Sequence, residues 1–130
     1  MAFPSAEWAA AFQKAINENA AYAEAAKAWA GDILLRVRPS DASAPAPGVH
    51  LDLANGLCRG ATYVPDSREV ASEFVYEGSP EDWARLMRHE IDPVQSILNG
   101  TFRVKGNMAK LMRFTRAAKE LVETASNVPG

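Results

Sequence analysis

Hydrophobic residues recur every three to four positions at both ends of the chain and every second position through its middle. The first stripe, Trp8, Phe12, Ala15 and Ile16, reads as a helix capped by Ser5 and running to Asn19. Asn19 caps a second helix, Ala20 to Ala30, with Tyr22, Ala26 and Trp29 on its stripe, seven alanines raising its propensity and Gly31 as its stop. Trp8, Tyr22 and Trp29 belong to the core. Strict alternation follows over Asp32 to Arg38, placing Ile33, Leu35 and Val37 on one face and Leu34, Arg36 and Arg38 on the other. Pro39 to Gly48 is a surface loop by its Pro, Ser, Ala and Asp content. Val49 to Leu53 is a second strand, Asn55-Gly56 a hairpin turn and Leu57 to Val64 the return strand. After a turn at Pro65-Asp66-Ser67, Val70 to Glu77 is a fourth strand with Phe74 and Tyr76 on one side, so these strands read as an antiparallel meander.

The helical period returns after Gly78. Ser79-Pro80-Glu81-Asp82 combines a cap, a first-position proline and first-turn acids ahead of the stripe Trp83, Leu86 and Met87. Asp92-Pro93 starts a short helix with Val94, Ile97 and Leu98 apolar, closed by Asn99-Gly100. Thr101 to Lys105 alternates as a fifth strand. Asn107 then caps a final helix from Met108 to about Ala125. On it Met108, Leu111, Phe114, Thr115, Ala118, Leu121, Val122 and Ala125 share an arc of about 140°, with Met112 at its polar boundary. The element order predicts an α+β fold, a five-stranded, mainly antiparallel sheet covered on one face by helices.

Length changes this picture little: 130 residues make one domain, 1–130, with room for a real core. A net charge of -2 argues against a nucleic-acid partner. The one cysteine, Cys58, excludes an internal disulfide and reads as a small buried residue. No apolar run is long enough to span a membrane, the first residues lack a signal-peptide pattern and Asn99-Gly100-Thr101 is a chance sequon, so cytoplasm is the expected compartment.

Catalytic chemistry finds little support. Cys58 sits across the hairpin from the neighbourhood of His50, but a surface histidine and a core cysteine explain both. His89 reads as a helix-end residue favouring the dipole. His50 and Asp52 share a strand face, yet no third or fourth ligand is evident, so no metal is expected. The glycines of Gly100 and Gly106 are separated by a strand and cannot form a phosphate cradle. No cofactor is expected. Charge is asymmetric: from Thr101 to Glu123 six basic residues face two acids, which fits either a solvated helix face or peripheral contact with an anionic membrane. Met87, Met108 and Met112 in or beside the covering helices suit a surface that adapts to variable apolar shapes.

Several stretches together resemble the sterol carrier protein 2 family of lipid-transfer domains. They are Ala28-Trp29-Ala30-Gly31, Leu51-Asp52-Leu53-Ala54-Asn55-Gly56, and Phe74-Val75-Tyr76-Glu77-Gly78-Ser79 with Trp83 and Leu86. Asp92-Pro93 and the run Leu98-Asn99-Gly100-Thr101-Phe102-Arg103-Val104-Lys105-Gly106-Asn107 complete the set, in the family's order. Asn107 stands where the family usually carries Asp, and both cap a helix. The resemblance implies an apolar tunnel between sheet and helices that binds fatty acid, fatty acyl-coenzyme A, phospholipid or sterol without covalent chemistry. The alanine-rich helices, the long Pro39–Gly48 loop and an ending without Ser-Lys-Leu point to a bacterial member rather than a peroxisomal sterol carrier.

The expected function is therefore non-catalytic lipid binding or transfer. Expected lining residues are Phe74, Tyr76, Trp83, Leu86, Met87, Ile97, Leu98, Phe102, Met108, Leu111 and Met112, with Lys105, Lys110 and Arg113 meeting a charged headgroup. Two alternatives use the same fold. One is a cone-shaped isomerase or hydratase, which needs an acid or histidine in the cavity. Asp52 and His50 are the nearest candidates, and strand alternation turns them outward. The other is an interaction or dimerisation module whose apolar face binds a protein partner of unknown identity.

Overall fold

A computed structural model describes residues 2–129, apart from the Val94 side chain, so the placing of Val94 on the short helix's apolar stripe lies outside the described residues. Two helices, α1 (Ala6–Asn17) and α2 (Ala20–Ala25), precede strand β1 (Ala30–Val37), the hairpin β2 (Gly48–Ala54) and β3 (Leu57–Val64), and strand β4 (Phe74–Gly78). Then come α3 (Pro80–Met87), α4 (Pro93–Leu98), β5 (Arg103–Lys105), α5 (Met108–Met112) and α6 (Thr115–Asn127). The fold is α+β around one five-stranded sheet of order β3-β2-β1-β4-β5.

The expected caps are made. Ser5, Asn19, Ser79 and Asn107 each accept a hydrogen bond from a backbone N–H three residues on, satisfying one of the first-turn donors that a helix cannot pair itself. The hairpin tip is a left-handed pair, Asn55 at φ 55° and Gly56 at φ 82°, as a type I′ turn requires.

Tertiary pairing overrides local preference at four places. The second helix ends at Ala25 rather than Ala30. Ala30 pairs with Ala54, and the Asn55 N–H donates to the Trp29 carbonyl at 2.7 Å, so the hairpin draws Trp29 and Ala30 away from helix despite their alanine-rich surroundings. The meander is corrected too: β4 does not pair with β3 but lies parallel to β1, Ile33 beside Phe74 and Leu35 beside Tyr76. β4 is also shorter than Val70–Glu77, because Ser67–Glu69 forms a 3-10 turn and the Glu73 N–H donates to the Asp32 carboxylate at 2.9 Å. Finally, the long last helix is two helices, broken at Arg113 and Phe114, where Phe114 takes φ -123°, ψ 34°.

Helices cover one sheet face. Trp8, Phe12 and Ile16 of α1, Leu51, Leu53 and Val49 of β2, Phe74 and Tyr76 of β4, and Leu121 and Ala125 of α6 are all buried in one apolar cluster. Asn17 ties α1 to the bulged start of β3 by accepting from the Cys58 N–H at 2.8 Å and donating to the Cys58 carbonyl at 3.0 Å. Asn19 ties α2 to α6 by donating to Thr124 Oγ1 at 2.9 Å. On the other face Leu34 is fully buried, because the loop after β1 and the turn at Ser67 fold back over it: a Cβ on Gly48 would meet both the Leu34 and the Ser67 side chains, and Arg36 donates to the Ser67 hydroxyl and carbonyl.

Aromatic rings link the sheet to α3. Tyr76 stacks on Phe102 at 4.8 Å, Trp83 meets Phe102 edge-on at 5.0 Å, and the Trp83 indole N–H donates to the Arg36 carbonyl at 2.9 Å. Gly78 is what admits Phe102: a Cβ there would overlap the ring edge. Gly78→Ala is expected to cost about 1–3 kcal/mol by overpacking, read as a lower urea midpoint with an unchanged slope.

Candidate functional site

The parallel pairing of β1 and β4 puts Ile33, Leu35, Phe74 and Tyr76 side by side on the helix-facing side of the sheet. β5 adds Val104 opposite Tyr76. α4, α5 and α6 arch over this floor without filling it. Beneath them lies a cavity of about 190 Å³, roofed by Pro93, Ile97 and Leu98, by Met108, Leu111 and Met112, and by Thr115, Ala118, Lys119, Leu121 and Val122. Apart from Tyr76, with its buried hydroxyl, Thr115 and Lys119, every lining residue is apolar, and none is Asp, Glu or His among the described residues. Ile33, Leu111, Ala118 and Leu121 also border a smaller void of about 20 Å³, which Trp29 and Phe114 close on its far side.

The break after α5 shapes the cavity's mouth. Phe114 turns its ring edge onto Trp29 at 5.1 Å, so α5 departs from the line of α6 and Met108 and Met112 stand at the rim. Met108, Met112 and Leu98 remain exposed. Beside the packing of Leu111 on the core, one polar side chain ties α5 down. Lys110 Nζ donates to Glu73 Oε1 at 2.7 Å and to the Ala30 carbonyl at 2.6 Å, and sits 4.7 Å over the Trp29 ring. A five-residue helix has little stability of its own, so this clasp is a main tether of the cavity's roof.

Of the expected lining residues, Phe74, Tyr76, Ile97, Leu98, Met108, Leu111 and Met112 surround this cavity. Trp83, Leu86, Met87 and Phe102 lie elsewhere. Phe102 is spent on the stack with Tyr76 and the contact with Gly78. Trp83 and Met87 border a separate, half-polar hollow with Phe3, Pro4 and Val128, and Leu86 a shallow one with His89 and Glu123. The stripe of α3 thus faces the aromatic cluster and the chain ends, not the cavity. Ile33, Leu35, Val104, Ala118 and Val122 border it without having been singled out; they carry the same 2-fold and 3.6-fold periodicity as core residues, and no sequence signal separates the two. Among the basic residues, Lys110 is engaged by Glu73, Lys105 lies on the strand face opposite Val104 by alternation, and Arg113 is exposed beside Met112.

The other chemical candidates fall away from the cavity. His50 Nε2 lies 2.7 Å from Asp32 Oδ2 on the opposite sheet face, and Asp52 pairs with Arg59 at 2.9 Å. Burial raises the Asp32 pKa, but hydrogen bonds from His50 and the Glu73 N–H outweigh it and leave the carboxyl below its ordinary value. His50 is opposite Thr62, while Cys58 is opposite Leu53, so no Cys–His pair forms. His89 lies past the end of α3, exposed and left-handed at φ 60°, rather than in the helix's last turn. No cluster of metal-ligating side chains occurs among the described residues.

A family model described as the SCP-2 sterol transfer family matches residues 10–119. The chain belongs to that family. Among solved structures it is similar to one described as sterol carrier protein 2, at 34% identity and a TM-score of 0.89, covering 98% of this chain and 100% of the other. It is similar at 33% identity and TM-score 0.85 to a conserved hypothetical protein of Thermus thermophilus, possibly a sterol carrier protein, covering 100% of this chain and 92% of that one. The apo sterol carrier protein 2 of Yarrowia lipolytica shares the fold at TM-score 0.55 and 17% identity, over 89% of this chain and 87% of its own. No curated protein matches the chain. The α+β architecture and mostly antiparallel sheet are thus those of an SCP-2 family member, and the family is one of sterol and lipid transfer. No described helix is long and apolar enough to cross a membrane.

Two measurements probe this geometry. Lys110→Met is expected to cost about 1 kcal/mol, since the pair is partly exposed, and to speed hydrogen exchange selectively at residues 106–114. Burial pushes the Cys58 thiol up to about 11, so at pH 8 it should react with a disulfide reagent on the order of 100-fold slower than in the unfolded chain.

Proposed function

We propose that this domain binds a lipid by burying its hydrocarbon in the cavity beneath α5 and α6, without covalent chemistry, and carries it between donors and acceptors. The observation that supports the reading is the near-absence of polar groups around 190 Å³ of space in a member of the SCP-2 sterol transfer family. Each methylene moved from water into such a space contributes about 0.8 kcal/mol. Fatty acid, fatty acyl-coenzyme A, phospholipid and sterol all offer that hydrocarbon.

Size narrows how such a ligand fits. A cavity of about 150 Å³ admits a benzene-sized molecule, so a full acyl chain exceeds the closed space. Two adjustments enlarge it: the Leu111 side chain yields towards the smaller void, and α5 lifts as Lys110 leaves Glu73. The polar end of the ligand then emerges between Leu98 and Met112, within reach of Arg113 and of the freed Lys110. Lys105 belongs to this headgroup set only if β5 turns, since it projects from the opposite strand face. Trp83, Leu86, Met87 and Phe102 act behind the wall, fixing α3 and β4. A cavity lining without a carboxylate or imidazole favours carriage over isomerase or hydratase chemistry. The free Cys58 suits a reducing compartment such as the cytoplasm.

Native mass spectrometry of the purified protein with dodecanoate and hexadecanoate tests the proposal. A one-to-one complex is expected. Ala118→Leu fills space equivalent to about three methylenes and should weaken binding about ten- to fifty-fold with unchanged circular dichroism. Failure to retain any acyl lipid, or indifference to Ala118→Leu, overturns it.

A further inference from the structure

We propose that the Tyr76 hydroxyl is a polar recognition point of the cavity, and that the ligand it selects is an acyl chain bearing a hydroxyl along its buried length. The inference rests on the carrier reading and deepens it by naming the class of ligand. Three lining residues have polar side chains. Two of them are accounted for at the surface: Thr115 donates to the Met112 carbonyl at 2.9 Å, and the exposed Lys119 reaches Glu123 at 4.0 Å. Tyr76 differs. It is 6% exposed, and its hydroxyl is shut off from solvent without a hydrogen bond among the described residues.

The ring's neighbours explain its position but not its oxygen. Phe102 stacks on it at 4.8 Å and Trp83 meets it edge-on at 5.6 Å, and neither of those rings borders the cavity. A phenylalanine would keep both contacts without burying an unpaired hydroxyl, which is costly. Ser96, fully buried on α4 between the lining residues Pro93 and Ile97, is the one side chain that acts on the phenol by hydrogen bonding. Ser96 Oγ gives its own proton to the Pro93 carbonyl at 2.7 Å, so it donates nothing to Tyr76. Burial pushes the phenol up to about 12, which keeps it a neutral hydroxyl at ordinary pH. A hydroxyl arriving on a ligand accepts from Tyr76 Oη and has a proton left for Ser96 Oγ. A charged group does not belong there, because burying it without a counter-ion costs far more; the ligand's charged end stays at the mouth, near Arg113. The chain that suits both ends carries a charged head and a hydroxyl on its hydrocarbon. Without Tyr76 the same chain would bury that hydroxyl unpaired.

Competition of dodecanoate against 3-hydroxydodecanoate and 12-hydroxydodecanoate, read by native mass spectrometry on the full chain and on Tyr76→Phe, tests the inference. In the unaltered chain at least one hydroxy acid is expected to bind as tightly as dodecanoate or up to about ten-fold tighter. In Tyr76→Phe the same acid should fall about ten- to one-hundred-fold relative to dodecanoate. The ratio cancels any general effect of the substitution on the cavity. The urea midpoint of Tyr76→Phe should be unchanged or raised, since the hydroxyl removed has no partner. A ratio that Tyr76→Phe does not move overturns the proposal, and a lowered midpoint beside an unmoved ratio assigns the hydroxyl to holding α4 through Ser96 instead. Dodecanoate binding with both hydroxy acids rejected sinks this inference alone; failure of all three acids to bind sinks the carrier reading itself.

Discussion

The parallel pairing of β1 with β4 is the constraint on which the rest depends. It places Phe74 and Tyr76 beside Ile33 and Leu35, and those four side chains are the floor of the cavity. It also brings Glu73, just before β4, to the Asp32 carboxylate and under Lys110. Had β4 continued the hairpin beyond β3, the sheet's apolar floor would be divided and α5 would have no anchor. Parallel neighbours need a long connection. Residues 38–73 supply it: they hold the β2–β3 hairpin, and their last stretch, 65–73, returns across the face away from the helices, where Arg36 grips Ser67.

The two sides of the sheet are stabilised differently. The helix side is packed by aromatic and aliphatic contacts, dense around Trp8, Phe12, Trp83 and Phe102 and open beneath α5. The opposite side carries ion pairs and hydrogen bonds: Asp32 with His50, Asp52 with Arg59, Arg36 and Arg38 around the buried Glu77. This division separates rigidity from adaptability. The aromatic wall at Tyr76, Phe102 and Trp83 holds shape, whereas one part of the roof is a five-residue helix with two rim methionines, tied by one lysine. A carrier of variable hydrocarbon needs such a roof, because a fully packed one would have to break its own core to admit a ligand.

Membership of the SCP-2 family places lipid transfer in general on firm ground, and the details of this chain supply the specific proposals. In the proposed reading an apolar space of modest volume takes the ligand's hydrocarbon. The basic, apolar rim around that space belongs to residues 98–119, whose charge runs opposite to that of the chain as a whole. The polar sheet face with its Asp32 and His50 pair lies away from that end of the molecule.

Local signals in the sequence determined the caps at Ser5, Asn19, Ser79 and Asn107, the left-handed turn at Asn55-Gly56, the strand character of the middle of the chain and the α+β class. Each of these depends on residues within a turn of one another, so local chemistry suffices. Four features waited for the tertiary structure: the early end of α2, the parallel placement of β4, the break at Phe114, and the division of apolar residues between packed wall and open cavity. Asn55 reaching Trp29, Glu73 reaching Asp32 and Phe114 turning onto Trp29 are contacts between residues 26 to 85 positions apart in the chain. Hydrophobic periodicity says that a side chain faces inward. It does not say whether what it faces is another side chain or a space, and for Leu111 and Ala118 against Trp83 and Phe102 that distinction is the difference between cavity and core.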